Sequence, residues 1–332
     1  MRAFSATFLV VATCLVIVGC TVGPDYRRPD APAPPESFKE APASTLPAVS
    51  WRQARPRDGA PRGKWWESYN DVKLNALEDE LTVANQNLKA ATAQYLQARE
   101  QVSVARASYF PTVSAGPSVA STRESYNQAN TVRGVTQFQF NTLALQGQVL
   151  WEPDLWGQIR RTVEQARANA QASAADLASV ELSLRAELAT DYFELRGLDA
   201  QRRLLDKTVA SDADYLQLTQ VRLRGGVGTE VDVAQAEAQY QGVQAQAVAI
   251  GVARAQYEHA IATLVGVPAP AFSLPAMPLD IVPPAIPSGL PSELLERRPD
   301  VAGAERRTAA ANAQIGIAIA AYYPNITLGA TG

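Results

Sequence analysis

Few residues in this 332-residue chain are equipped for covalent chemistry: it holds two cysteines and one histidine. Cys20 follows the apolar run Leu15-Val16-Ile17-Val18-Gly19, and a short apolar stretch from Phe8 to Val18 follows the positive Met1-Arg2 start. A small residue directly before a cysteine, after such a run, resembles the bacterial lipoprotein cleavage box, with Ile17 where Leu is usual. The chemistry implied is modification. Cleavage before Cys20 would make it the first residue and the carrier of acyl chains, while a plain secretory signal with an incidental cysteine is the alternative. Cys14 lies inside the segment that would be removed, so no thiol would remain for a disulfide, a nucleophile or a metal site. His259 lies beside Glu258 and Tyr257 in a segment of helical pattern, where a surface histidine is far commoner than a catalytic one. Asp176, Glu181, Glu187 and Asp191 alternate with Arg185 and Arg196, as solvated helix faces do. No Gly-rich loop followed by Lys and Ser or Thr is present. The expectation is therefore no catalytic residue, no metal and no cofactor.

The elements that carry these residues follow from composition and period. The chain is 47% hydrophobic but only 7% aromatic, with a formal net charge of −3. Its Ala, Gln, Leu, Arg and Glu favour helix. No basic stripe points to nucleic acid. No apolar run beyond the N-terminus is long enough for a membrane helix, so any crossing falls to strands or to a lipid anchor. Residues 1–19 read as a signal peptide. Residues 20–63 read as a Pro-rich, lipid-anchored tether with no period, containing Val22-Gly23-Pro24-Asp25-Tyr26-Arg27-Arg28-Pro29 and Pro32 to Pro35. Thr21, where an Asp would signal inner-membrane retention, favours the outer membrane.

Asp71 or Ser68 can cap a helix running to about Ser108, with Leu74, Leu77, Leu81, Leu88, Tyr95 and Val102 along one face. A second helix should run from Leu155 to about Arg224, carrying the stripe Leu177, Val180, Leu184, Leu188, Tyr192, Leu195 and Leu198. Roughly 70 residues at 1.5 Å each give about 100 Å, the length of a coiled coil or helical array. Arg224-Gly225-Gly226-Val227-Gly228-Thr229 ends it, and Thr229 caps the next helix, with Asp232 completing an imperfect capping box. That helix reaches about Val265 and stops at Gly266 and Pro268. Residues 267–291 read as a second Pro-rich linker. Ser292 would cap a last helix, interrupted near Arg298-Pro299-Asp300 and continuing to about Ala321.

Between the first two helices, residues 109–153 read as a strand hairpin. Pro111 forces the chain out of helix, and Trp151-Glu152-Pro153-Asp154-Leu155-Trp156-Gly157 returns it. Val113, Ala115 and Val119 share one face with Pro111 and Pro117, while Thr112, Ser114, Gly116 and Ser118 share the other. The alternation from Phe138 to Val149 slips near Asn141-Thr142, which suggests a bulge. One apolar and one small polar face over about ten residues fits a membrane barrel with a wet lumen. A half-buried soluble strand pair would show the same alternation, and the export signal favours the barrel. The pattern around Tyr109-Phe110-Pro111 recurs at Tyr322-Tyr323-Pro324, with Val113 meeting Ile326 and Ala115 meeting Leu328, which implies duplication. On this reading 64–266 is a first repeat and 292–332 the start of a second.

Together these motifs resemble the OprM/NodT group of TolC-like outer-membrane factors. The resemblance is carried by Gly23-Pro24-Asp25-Tyr26, Trp65-Trp66, Tyr109-Phe110-Pro111 and Glu152 to Gly157. It is carried further by Gly226 to Val233 and by Leu294-Leu295-Glu296-Arg297-Arg298-Pro299-Asp300-Val301 with Ala304-Glu305. It implies an α+β membrane protein, with long α-helical hairpins in a periplasmic helical barrel carrying transmembrane β-strands of a barrel shared by a homotrimer. It implies a passive outer-membrane conduit of a tripartite efflux system in a Gram-negative cell. The partners would be outer-membrane lipid, a periplasmic adaptor (membrane fusion protein) and an inner-membrane, proton-driven pump. Type I secretion or metal-ion efflux would use the same architecture. The turn of Gly225, Gly226, Val227, Gly228 and Thr229 would be the adaptor-docking tip. Cys20 would be the lipidation site, and Pro111, Pro153 and Pro324 the helix-to-barrel boundaries. The family pattern continues beyond Gly332 with a fourth strand and a second helical hairpin, so the sequence is expected to be a C-terminally truncated piece, unable by itself to complete a channel.

Overall fold

The computed structural model describes residues 21–28, 63–123, 139–277, 283–284 and 297–332. In chain order, a 3-10 turn at Trp65–Tyr69 precedes helices α1 (Val72–Ala84) and α2 (Gln86–Ala107). Strands β1 (Thr112–Arg123) and β2 (Gln139–Trp151) follow, then helices α3 (Gln158–Arg224) and α4 (Glu230–Leu264). A 3-10 turn at Ala269–Ala271, helix α5 (Pro299–Ala320) and strand β3 (Leu328–Thr331) complete it. Among the described residues no helix is long and apolar enough to cross a membrane. The chain divides into two compact units. The first comprises Met1–Pro32, Leu96–Ser173 and Gly303–Gly332, and the second Ala33–Tyr95 and Ala174–Ala302.

The helix ends follow local chemistry. Asp71 accepts hydrogen bonds from the backbone N–H of Lys73 and Leu74 at 2.8 and 3.0 Å, capping α1. At the end of α3, Gly226 takes φ 73°, the Gly226 N–H donates to Leu223 and the Val227 N–H to Arg222. This is a Schellman stop, which needs a residue that tolerates left-handed backbone. Thr229 and Asp232 then form a complete capping box on α4.

The long periodic stretch from Asp71 is not one helix. Asn85 is buried and extended (φ −60°, ψ 125°), and it separates α1 from α2. Its side-chain amide donates to the Leu264 carbonyl at 2.8 Å while its oxygen accepts from the Leu88 N–H at 2.9 Å. A Cβ on Gly266 would lie 2.9 Å from the Ala84 carbonyl oxygen, so the C-terminus of α4 abuts the chain where it opens. The apolar stripe continues in phase through the break, which is why period alone predicts continuity.

The core of the second unit gathers Trp66, Leu74, Leu77, Leu81, Leu188, Tyr192, Leu195 and Ile261. Residues 267–277, read from sequence as linker, are part of it. Leu274 is buried, its N–H donates to Glu258 at 2.6 Å and its carbonyl accepts from Arg254 at 2.6 Å. Arg196 donates to the Pro275 carbonyl, and the Met277 N–H donates to Asp199, which also pairs with Arg254. The expected cap at Ser292 and most of the remaining linker lie outside the described residues. The chain leaves helix at Arg298 and re-enters at Pro299, as Pro predicts.

One buried charge makes this unit pH-sensitive. Glu78 is fully buried, with Arg185 3.4 Å from its Oε2 and no hydrogen-bond partner on Oε1. Arg185 also pairs with Glu181 and lies 4.3 Å over the Trp66 ring. Burial pushes the Glu78 carboxyl up to about 7, against the opposing pull of Arg185. The stability this group supplies is full below the ordinary carboxyl value of about 4.3 and is lost as pH rises through 7. The melting temperature should therefore fall between pH 5 and pH 8, and Glu78→Gln should remove part of that fall. Parallel pH profiles for the two proteins in circular dichroism melts would contradict this.

Candidate functional site

The sheet has the order β1-β2-β3, antiparallel throughout. The β1–β2 register is unbroken from Thr112 opposite Leu150 to Arg123 opposite Gln139. The bulge expected at Asn141-Thr142 is therefore absent. What changes there is the chemistry of the faces. Residues directly opposite one another share a face. One face carries the pairs Val113/Val149, Ala115/Gly147, Pro117/Leu145 and Val119/Leu143, extended by Trp151 with Leu328. Beyond Leu143 the same face turns polar, at Ser121/Asn141 and Arg123/Gln139. The opposite face carries Thr112, Ser114, Gly116 and Ser118 against Leu150, Gln148, Gln146 and Ala144.

Among the described residues nothing covers the apolar face. Val119 and Leu143 are 78% and 79% exposed, and Leu145 is 77% exposed. The apolar positions span Leu143–Trp151 along β2. At about 3.3 Å per residue, strands of this length, tilted, match an apolar band about 25 Å tall.

The junctions below the strands are built from aromatic residues and prolines. Pro111 stands between the end of α2 and the start of β1, and Pro153 between β2 and α3. Pro324 lies between α5 and β3. The Trp151 indole donates to the Tyr109 carbonyl at 3.0 Å, and the Trp156 indole donates to the Pro324 carbonyl at 3.1 Å. Trp156 also stacks on Tyr323 at 4.7 Å. The neighbourhoods of the three prolines are thus tied together, across 168 residues in the case of Trp156 and Pro324. Both helices that lead into strands unwind alike. Tyr109 and Phe110 donate to Arg106 and Ala107, and Tyr322 and Tyr323 donate to Ile319 and Ala320. Asp154 accepts from the N–H groups of Ile159 and Arg160 at 2.9 Å each and caps α3.

The remaining predicted site residues lie elsewhere. The tip turn 225–229 belongs to the second unit, with Val227 79% exposed. Hydrogen bonds from Thr229 hold the Asp232 carboxyl below its usual range. Cys20 lies outside the described residues, but its neighbour Thr21 packs on Gly157, where an added Cβ would meet Thr21 Cγ2 at 2.9 Å. His259 is exposed on α4. Among the described residues no group of three His, Cys, Asp or Glu could hold a metal ion.

Residues 77–267 match the family described as outer membrane efflux protein. The chain belongs to this family. Among relatives, it is 31% identical over 321 residues to the toluene efflux pump outer membrane protein TtgC of Pseudomonas putida, covering 96% of this chain and 64% of that protein. It is 28% identical over 329 residues to the pyoverdine export outer membrane protein OpmQ of Pseudomonas aeruginosa, covering 97% of this chain and 66% of OpmQ. The chain thus spans slightly less than two thirds of the length of TtgC. Among solved structures, the outer-membrane channel OprN superposes with a TM-score of 0.78 at 31% identity, over 94% of this chain and 68% of that one. The open-state MtrE channel of Neisseria gonorrhoeae superposes with 0.72 at 28%, over 94% and 66%. The fold is that of outer-membrane efflux channels, helices carrying strands of a membrane barrel, as the sequence implies.

The indole of Trp156 predicts a graded loss. Trp156→Phe removes one hydrogen bond, worth about 1 kcal/mol, and keeps the stack. Trp156→Ala also removes the aromatic pair, worth roughly 0.5–1.5 kcal/mol more. Guanidinium unfolding in detergent, followed by circular dichroism, should rank wild type above Phe above Ala.

Proposed function

We propose that the chain supplies the outer-membrane conduit of a tripartite efflux system and exports small molecules passively from the periplasm. The observation that carries this reading is the uncovered two-faced sheet. An apolar outer face meets lipid, and a face of Thr, Ser and Gln lines an aqueous lumen. The names of TtgC and OpmQ, an efflux pump and an export outer membrane protein, support the class. Conduction through an open barrel needs no nucleotide or metal chemistry in this chain, so the energy comes from a partner.

The partners follow from the same reading. The barrel forms with further copies, as a homotrimer, because the backbone groups at open strand edges must be paired in lipid. The exposed turn Gly225, Gly226, Val227, Gly228 and Thr229 docks a periplasmic adaptor, which couples the conduit to a proton-driven inner-membrane pump. Cys20 carries the lipid anchor, and Pro111, Pro153 and Pro324 mark where helix hands over to barrel.

Deleting the gene should raise accumulation of a fluorescent efflux substrate, and the wild-type gene should restore export. Val227→Asp should fail to restore export while reaching the outer membrane in normal amount. Labelled palmitate should enter the wild type and not Cys20→Ala. Unchanged accumulation on deletion would overturn the efflux reading, and full export by Val227→Asp would overturn the role of the tip.

A further inference from the structure

The segment after Cys20 reads from its sequence as a loose tether, yet residues 21–28 are fastened to the first unit along their length. The Val22 N–H donates to the Trp156 carbonyl at 3.1 Å. Arg161, on the first turn of α3, is 3% exposed. Its guanidinium donates to the Val22 carbonyl at 3.4 Å, to the Gly23 carbonyl at 3.1 Å and to Asp25 at 2.8 Å. Glu164 holds the other side of the same group at 2.7 Å. From α5, Asn312 donates to the Pro24 carbonyl at 2.9 Å, and Glu305 pairs with Arg28 at 3.5 Å.

The crossing point admits no side chain. Gly23 has φ 92°, and a Cβ there would lie 2.5 Å from the Cα of Gly316. A Cβ on Gly316 would in turn meet Arg161 Cγ and Nε at 2.9 Å. Glu305, Asn312 and Gly316 recur at spacings of seven and four, which places them on one face of α5. These contacts account for Val22-Gly23-Pro24-Asp25 residue by residue. The backbone carbonyls feed Arg161 and Asn312, the glycine permits contact with α5, and the aspartate closes the guanidinium.

We propose that Val22–Arg28 is a clasp, an intrachain peptide bound in a groove between the start of α3 and one face of α5. It joins the helix that leaves the β1–β2 hairpin to the helix that leads into β3. Together with the acylation of Cys20 proposed above, on which only this consequence rests, the clasp fixes where the anchor enters the bilayer. Thr21 packs on Gly157, directly beside the Trp156 junction, so the acyl chains start at the level of the strand ends and not at the end of a free tether.

Trypsin reads the clasp directly. It can cut after Arg27, whereas Arg28 is followed by Pro29. In the purified full-length protein in detergent, cleavage after Arg27 should be at least tenfold slower than in a free peptide of residues 21–32. Arg161→Ala should raise it toward the peptide rate. Gly23→Val should do the same, and it alters only the segment, so the helices keep their fold. Cleavage of the wild type at the peptide rate, or no change in either variant, would overturn the clasp. Palmitate labelling of the same samples reports acylation separately, so a missing anchor is distinguishable from a missing clasp.

Discussion

A backbone polar group in lipid has no water to pair with, and this constraint organises everything else in the chain. The β1–β2 ladder satisfies its inner edges over twelve residue pairs. It then presents an apolar face that none of the other described residues covers. Among the described residues, β3 pairs with residues 148–151 of β2 and Gly332 with Gly147, so the rest of that edge and the outer edge of β1 have no strand partner among them. The sheet is intelligible as part of a closed barrel and not as a freestanding hairpin. The helices follow from the same demand, because strands that must share a barrel need rigid supports that bring them together.

The handover between helix and sheet is where the two periods meet. Proline removes a donor and forbids helix in the residue before it, which ends α2 and α5 at fixed points. The freed carbonyls at Tyr109 and Pro324 are taken up by the indoles of Trp151 and Trp156. Tryptophan suits this level of a membrane protein, since its ring is apolar and its N–H is wet or bonded. The clasp residues attach at the same level, through the Trp156 carbonyl and Arg161. Strand ends, helix starts and residues 21–28 are thereby fixed as one piece of the first unit.

Features governed by near neighbours were legible in the sequence. The cap at Asp71, the Gly226 stop and the Thr229 box are readable because their partners lie within a few residues, and the two-faced strands because their alternation has a period of two. Features governed by distant partners were not. Asn85 breaks a helix whose stripe never falters, because Leu264, 179 residues away, takes its amide. The segment 21–28 carries Gly23 and Pro24, and 267–277 carries Pro268, Pro270 and Pro275, residues that signal the lack of local structure. Their order comes from Arg161 and Asn312 in one case and from Arg196, Asp199, Arg254 and Glu258 in the other. The slip at Asn141 suggests a bulge from sequence, but it marks the upper limit of the apolar band in an unbroken register. Of the candidate site, the prolines are visible as breakers, while the indole donors to the Tyr109 and Pro324 carbonyls are visible only as a motif.

The central claim is that the two faces of the sheet meet different media. Single spin labels at 113, 119, 143 and 145, and at 114, 118, 146 and 148, in the full-length protein reconstituted into lipid vesicles, test it most directly. The account predicts high accessibility to oxygen for the first set and high accessibility to a water-soluble nickel chelate for the second, alternating with a period of two. Equal accessibility on both faces, or an apolar face shielded from oxygen and nickel alike, would contradict it.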